Sequence, residues 1–271
     1  MSKLGIIGAG AMGQAIAKGL VSAGFFHASD IALFDLRQEV LIELKAYEFK
    51  TYNTVAELID SLVDDGILLI AVKPQNINDL LSEIETAKQN SLKQNVIIVS
   101  ICAGVKISKF EEFFPRNPII RVMPNTPAQI AKGASVLAPN KNCSGAQIQE
   151  IQKIFSCLGL ALVLDEAKLD AVTALSGSGP AYVFLLIEAM TEAGVRLGLD
   201  EADSKALARE TVFGSACLVA ESGKEASELR AQVTSPKGTT QAALDSFAEN
   251  DFNEIVFKAI DSAYKRSVEL G

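Results

Sequence analysis

Residues 8–13 read Gly-Ala-Gly-Ala-Met-Gly, directly after the short apolar run Lys3–Ile7. Glycines at this spacing suit a chain that leaves a strand through a tight turn and enters a helix at once. The helix they open carries Ala15, Ile16, Ala17 and Leu20 and ends near Gly24. Ile31–Phe34 reads as a second strand, closed by Asp35, about twenty residues beyond the glycines. The alternation then continues with a helix over Glu39–Ala46, a strand near Phe49 and a helix from Thr54. A strand over Ile67–Val72 precedes a helix from Ile77, and Val96–Ser100 precedes a helix over Ile107–Phe113. Strands at Ile119–Val122 and Ala134–Leu137, a helix over Ser144–Leu158 and a strand at Leu160–Leu164 complete the series. Strands alternating with helical periods across short turns predict a parallel sheet covered on both faces.

The pattern changes at Asp165, beyond which the sequence offers no strand. We therefore expect an α/β domain over residues 1–165 and an all-α domain over 166–271. Between Leu175 and Leu199 the chain reads as a central helix. Ser176-Gly177-Ser178-Gly179 is expected as a lead-in loop and Pro180 in the first turn, where its missing N–H costs nothing. Ala181–Leu186 holds no charged residue, so a helix there must be buried on all sides. Asp200 and Asp203 are expected to cap a helix that stops at Gly223. The last helix carries Phe252, Ile255, Val256, Ala259, Ile260 and Ala263 on one face.

Net charge is −8 with no basic cluster, which argues against nucleic acid or an anionic membrane as partner. Cys102, Cys143, Cys157 and Cys217 lack metal or disulfide spacing, and the lone His27 has no companion ligand, so no metal site is expected. No signal peptide is visible and no apolar run is expected to span a membrane. Together these features predict a cytoplasmic protein.

The chemistry sits at strand ends. Gly8 permits the tight turn, Gly10 lets backbone approach a pyrophosphate, and Gly13 allows close helix–strand packing, which points to a bound dinucleotide. Asp35 and Arg37 pull in opposite directions: a carboxylate there favours NADH by accepting from the ribose hydroxyls, whereas a guanidinium suits the 2′-phosphate of NADPH. Lys73-Pro74, Cys102-Ala103-Gly104 and Asn125-Thr126-Pro127 follow later strands on the same edge. A second polar cluster, Thr234–Thr240, precedes a helix and offers an anion seat, as does Ser176–Pro180. With one histidine in the wrong place, acyl-transfer chemistry is disfavoured.

On Gly8–Gly13, Ala71–Pro74, Arg121–Pro127, Leu175–Tyr182 and Thr234–Thr240, the chain resembles the Δ1-pyrroline-5-carboxylate reductases over essentially its whole length. The resemblance implies a Rossmann-like domain followed by a helical, interlocking dimerisation domain. It also implies hydride transfer from NADPH or NADH to the C=N bond of 1-pyrroline-5-carboxylate, giving L-proline. Members form homodimers, often gathered into a decamer of five dimers. Carried onto this sequence, the cofactor contacts are Gly8, Ala9, Gly10, Ala11, Met12 and Gly13, with Asn53, Ala71, Val72, Lys73, Pro74, Cys102, Ala103 and Gly104, to which the residue reading adds Ile7, Asp35 and Arg37. The substrate contacts carried over are Glu166, Thr239 and Thr240, with the Thr240 hydroxyl at the ring nitrogen as the catalytic group, and the anion-seat reading adds Ser176, Gly177, Ser178 and Gly238. Two positions depart from the common pattern: Lys237 replaces a frequent glycine and Gln232 a frequent asparagine. The competing readings are a related imine or β-hydroxyacid-type oxidoreductase and a non-catalytic dinucleotide sensor.

Overall fold

A computed structural model describes residues 1–88 and 92–271. Strands β1 (Ser2–Ile7), β2 (Ile31–Phe34), β3 (Lys50–Thr51), β4 (Leu62–Ile70), β5 (Ile97–Ser100), β6 (Ile119–Met123), β7 (Gly133–Pro139) and β8 (Gly159–Val163) form one sheet. Its order is β3-β2-β1-β4-β5-β6-β7-β8. The order reverses between β1 and β4, where the carboxyl ends of two neighbouring strands diverge. The sheet is parallel except for β6 and β7, which pair antiparallel. This departs from the all-parallel expectation for a physical reason. The link from Met123 to Gly133 holds only a 3₁₀ turn, Thr126–Ile130, too short for a helical crossover.

Helices α1 (Ala11–Ser22), α2 (Gln38–Lys45) and α6 (Gly145–Ser156) pack on one face, and α3 (Val55–Asp60), α4 (Ile77–Lys88) and α5 (Ile107–Phe113) on the other. Strand alternation feeds both cores. Leu4, Ile6, Ile67 and Leu69 join Ile16, Leu20 and Phe155 on the first side, while Ile7, Leu68 and Ile70 join Leu58, Leu81 and Phe110 on the second. Thr54 and Ser144 cap α3 and α6 with reciprocal side-chain bonds to Glu57 and Gln147, which sets where those helices begin.

Beyond β8 the chain is helical: α7 (Leu169–Val172), a π-turn at Thr173–Gly177, α8 (Gly179–Arg196), α9 (Glu201–Ser222), α10 (Ala226–Gln232), α11 (Thr239–Glu249) and α12 (Phe252–Leu270). Two compact units result, one of Met1–Ser178 with Ala263–Gly271 and one of Gly179–Ser262. In the first, the Ser267 hydroxyl donates to Asp170 at 2.8 Å, fastening the end of α12 to α7. In the second, α8 and α9 pack where Gly194 faces Ser204, and Gly198 and Gly223 end the two helices in left-handed conformations.

Four expectations need correction here. Ser176 and Gly177 lie within the π-turn instead of a lead-in loop, and the Ser178 N–H donates to Thr173 O at 2.8 Å. Asp200 occupies the N-cap of α9 without a side-chain bond, so its role there is positional. The Ala181–Leu186 segment is not buried within the chain: Phe184 is 56% and Leu185 66% exposed, and no residue of α8 is buried. The same stretch overturns the membrane-length expectation, because the helical run Glu166–Arg196 is long and apolar enough to pass that test by length and composition.

Candidate active site

The β1–α1 turn is built by steric demands that only glycine meets. Gly8 has φ +102°, and a Cβ there would lie 2.6 Å from Ala71 O, so the turn packs directly on the chain leaving β4. A Cβ on Gly13 would lie 2.1 Å from Gly8 O, which is how α1 comes so close to the strand that precedes it. Gly10, the N-cap of α1, has ordinary extended geometry and nothing within 4 Å of where its Cβ would stand. The first turn of α1 has neither a side-chain cap nor an acidic residue. Its orphan N–H groups and open approach fit the pyrophosphate of a dinucleotide.

Asp35, 8% exposed at the end of β2, accepts from the Ala9 N–H at 2.9 Å. Arg37 grips the same carboxylate through its backbone N–H at 3.0 Å, Nε at 2.9 Å and Nη2 at 3.0 Å. Burial works to raise the Asp35 carboxyl, but the Arg37 bonds and charge, with the Ala9 N–H, outweigh it and hold the group below the usual carboxylate value. Asn53 is exposed just beyond β3, and its backbone N–H donates to Glu57 at 3.1 Å.

Ala71, Val72 and the exposed Lys73 and Pro74 leave β4, with Lys73 held extended before a 3₁₀ turn. Cys102, at the end of β5, is buried and its Sγ donates to Val72 O at 3.3 Å. Burial pushes this thiol up, which suits a strut between two loops and not a nucleophile. Ala103 is exposed. Gly104 turns with φ +78°, and a Cβ there would stand 3.2 Å from Leu270 O, so the C-terminal residues brace this loop.

Glu166 Oε1 accepts from the Ile107 N–H at 2.7 Å and from Arg121 Nη1 at 3.1 Å. This ion pair, with the Arg121 side chain only 6% exposed, ties the start of α5 to β6 and to the chain beyond β8. Sequence reading named Arg121 within a motif but missed its role. The signal was a charge inside the otherwise apolar strand Ile119–Met123. Asn125 is a second such tie, donating to Ser176 O at 3.0 Å and accepting from the Ala134 N–H at 2.8 Å. A Cβ on Gly177 would meet Met123 Cε at 2.4 Å, so this glycine lets the π-turn approach β6.

The structure thus gathers Ile7–Gly13, Asp35, Arg37, Ala71–Pro74 and Cys102–Gly104 along one sheet edge. Gly238, Thr239 and Thr240 stand together in the other unit, at the start of α11. Gly238 is the N-cap, its N–H bonded to Ser235 O at 3.0 Å, and no side chain caps the helix. Thr239 is exposed and Thr240 half-buried. Lys237 just before them adopts φ +60°, a left-handed conformation natural to glycine.

A glycine turn at the switch point of a largely parallel sheet, with an acid closing the second strand, defines a nicotinamide-dinucleotide oxidoreductase with a Rossmann-like domain. Residues 3–104 match a family model described as NADP oxidoreductase, coenzyme F420-dependent, and residues 166–270 match one described as pyrroline-5-carboxylate reductase dimerisation. The pyrroline-5-carboxylate reductase of Pseudomonas aeruginosa is 40% identical over 270 residues, covering 99% of this chain and 96% of that protein. A solved pyrroline-5-carboxylate reductase from Coxiella burnetii superposes with TM-score 0.91 at 30% identity, covering 100% of this chain and 98% of that one. The Plasmodium falciparum pyrroline carboxylate reductase, solved with NADP bound, gives TM-score 0.85 at 31% identity with the same coverage. The chain belongs to the pyrroline-5-carboxylate reductase family. The helices whose apolar faces stand exposed lie in the region matched by the dimerisation model, and the protein is accordingly an oligomer-forming enzyme with a small-molecule substrate.

Proposed function

We propose that residues 1–165 hold NADPH or NADH and residues 166–271 hold 1-pyrroline-5-carboxylate and the partner subunit, so that the C=N bond is reduced to give L-proline. The match over 99% of the chain to a pyrroline-5-carboxylate reductase carries this reading. When bound, the reduced nicotinamide supplies the hydride. Ile7, Gly8, Ala9, Gly10, Ala11, Met12 and Gly13 seat the pyrophosphate on the start of α1. Asp35, Arg37 and Asn53 surround the adenosine end, and Ala71–Pro74 with Cys102–Gly104 line the way to the nicotinamide.

At the other seat, the uncapped start of α11 offers backbone N–H donors to the substrate carboxylate, with Gly238 allowing close approach and the Thr239 hydroxyl adding a donor. Glu166, Ser176, Gly177 and Ser178 are the further substrate contacts of this reading. The Thr240 hydroxyl meets the ring nitrogen. Hydride delivered to a neutral imine would leave a nitrogen anion, so a donor there stabilises charge as it develops.

In this reading the protein works in the cytoplasm as a homodimer, with five dimers forming a decamer, and has neither nucleic acid nor membrane as partner. The apolar helical run Glu166–Arg196 is covered by a second copy of the chain, not by lipid. The test follows NADPH and NADH absorbance with 1-pyrroline-5-carboxylate, with a hydroxyacid and with no substrate, while assaying proline. Cofactor oxidation matched by proline, only with the pyrroline, is expected. Oxidation driven by the hydroxyacid, or binding without turnover, would overturn the reading.

A further inference from the structure

Asp35 and Arg37 look like rivals in the sequence, one suited to a ribose diol and the other to a phosphate. In the structure they form a single unit. Asp35 Oδ1 accepts from Arg37 N at 3.0 Å and Arg37 Nε at 2.9 Å, and Oδ2 accepts from Ala9 N at 2.9 Å and Arg37 Nη2 at 3.0 Å. A carboxylate has about four acceptor positions, and all four are engaged here. Two donors are backbone N–H groups, fixed by the β1–α1 turn and by the start of α2, and the other two form a planar fork. For a ribose to reach this carboxylate, it must first displace Arg37.

The guanidinium is differently placed. The Arg37 side chain is 53% exposed while Asp35 is nearly buried, so the pair presents its cationic half outward. Nε and one hydrogen of Nη2 serve Asp35. The remaining Nη2 hydrogen and both on Nη1 extend the donor edge away from it, which is the geometry that recognises a phosphate. Glu39, in the first turn of α2, is the other charge felt by the fork and is itself exposed.

We propose that Arg37, aimed by Asp35, is the cofactor-specificity residue of this enzyme and selects a dinucleotide bearing a 2′-phosphate, NADPH, over one with a free 2′-hydroxyl. Asp35 is then a positioning residue. It ties the guanidinium to the glycine turn through the Ala9 N–H, so the 2′-phosphate and the pyrophosphate are read by one connected element. The presence of an acid at the end of β2 does not make this an NADH site, because the acid is already occupied by its neighbour. This inference rests on the dinucleotide reading of Gly8–Gly13.

The test uses adenosine fragments on the full-length enzyme, so it does not depend on turnover. Calorimetry would compare adenosine 2′,5′-bisphosphate with adenosine 5′-monophosphate for the wild type, Arg37→Ala and Arg37→Lys. The wild type should bind the bisphosphate at least ~10-fold more tightly, a modest figure for a charge-assisted contact. Arg37→Ala should bring the two ligands within about 2-fold, and the monophosphate should bind more tightly than to the wild type because Asp35 is released. Arg37→Lys, which keeps a point charge but not the fork, should retain part of the preference. The NADPH-to-NADH ratio of kcat/KM should fall in parallel. Equal wild-type affinities, or an unchanged preference in Arg37→Ala, would overturn the assignment while leaving the reductase reading intact. Failure of NADPH and NADH alike to bind would overturn both.

Discussion

Gly10 and Gly13 sit three residues apart in one turn, and the structure assigns them different physical duties that two alanine variants separate. At Gly13 a Cβ would stand 2.1 Å from Gly8 O, over 1 Å inside ordinary contact. Gly8 cannot yield: its N–H is bonded to Phe34 O at 2.8 Å, and its own backbone abuts Ala71. The helix must move instead, and α1 carries Ile16, Ala17 and Leu20 into the core at 1% exposure or less. Overpacking of that kind costs about 1–3 kcal/mol before any loss of core contact, so Gly13→Ala should lose about 2–4 kcal/mol. The turn proposed to seat the pyrophosphate opens with it, and cofactor affinity should fall as well.

Gly10→Ala meets no obstacle. Its φ of −72° suits any residue, and no atom lies within 4 Å of the new methyl. The loss of a glycine N-cap and the stiffer unfolded chain nearly offset, leaving stability within about 1 kcal/mol of wild type. The methyl nevertheless projects into the open space where a pyrophosphate must approach backbone, so NADPH should bind at least ~10-fold more weakly. Urea unfolding by circular dichroism at one protein concentration, since association shifts the midpoint by mass action, gives the stability. NADPH fluorescence gives the affinity. Wild-type binding by Gly10→Ala would show that no phosphate sits on this turn. Wild-type stability in Gly13→Ala would show that α1 is not held against the turn as described.

Thr240→Val keeps volume and branching at a half-buried position and should lower kcat by ~10- to 1,000-fold with little change in cofactor affinity; full kcat with a raised substrate KM would make Thr240 a carboxylate-positioning group only. Lys237→Gly should stabilise the protein by about 1 kcal/mol, because φ +60° strains a lysine, and should raise the substrate KM by removing a cation beside the anion seat; unchanged KM would place the Lys237 charge away from the substrate. Because the Asp35 carboxyl is held below its ordinary 3.8, the stability it adds is present above that pH and lost as acid protonates it. The unfolding difference between wild type and Arg37→Ala should therefore be constant from neutral pH to about pH 5 and shrink below about pH 4; a difference that grew with acid would reverse the sign. Light scattering at micromolar concentration should find at least a dimer, with an interface above ~2,000 Å² by dimer and monomer accessible areas, and a clean active monomer would refute the covered-face argument.

The order of strands and helices was legible because buried strands are bounded by turn residues and some helices by side-chain caps, as at Thr54 and Ser144. The turn at the proposed cofactor edge was legible for the same reason, since Gly8 and Gly13 answer local steric constraints that a sequence can state. Where contacts come from distant residues, it was not. Nothing local to Ile119–Met123 or Ala134–Leu137 says which way the second strand runs; the short link decides it. Ser176–Gly179 has loop composition, yet the chain closes a π-turn there, bonded from Ser178 N to Thr173 O, with Asn125 holding it from 51 residues away. The Asp35–Arg37 unit was half legible. Both residues stood out, but the four-bond saturation of the carboxylate depends on how Ala9 and the start of α2 converge on it.

Hydrophobic periodicity states which face of a helix must leave water, but not what covers it. The one-face pattern read at the C-terminus falls on a helix, α12, yet Phe252, Ile255 and Val256 on that face are 42%, 57% and 39% exposed within the single chain. In α8 the inference from an uncharged segment to complete burial fails in the same way, with Phe184, Leu185 and Leu186 all exposed. Neither helix lacks a reason for its composition. Apolar patches larger than a few hundred Å² are rare on proteins that stay monomeric, and those here fall in the stretch matched to a dimerisation family. A second copy of the chain is the simplest surface with the same need, because a two-fold interface lets one apolar patch answer itself. The proposed substrate seat at Gly238–Thr240 belongs to this same matched stretch. Weakening subunit association should therefore lower activity as well as stability.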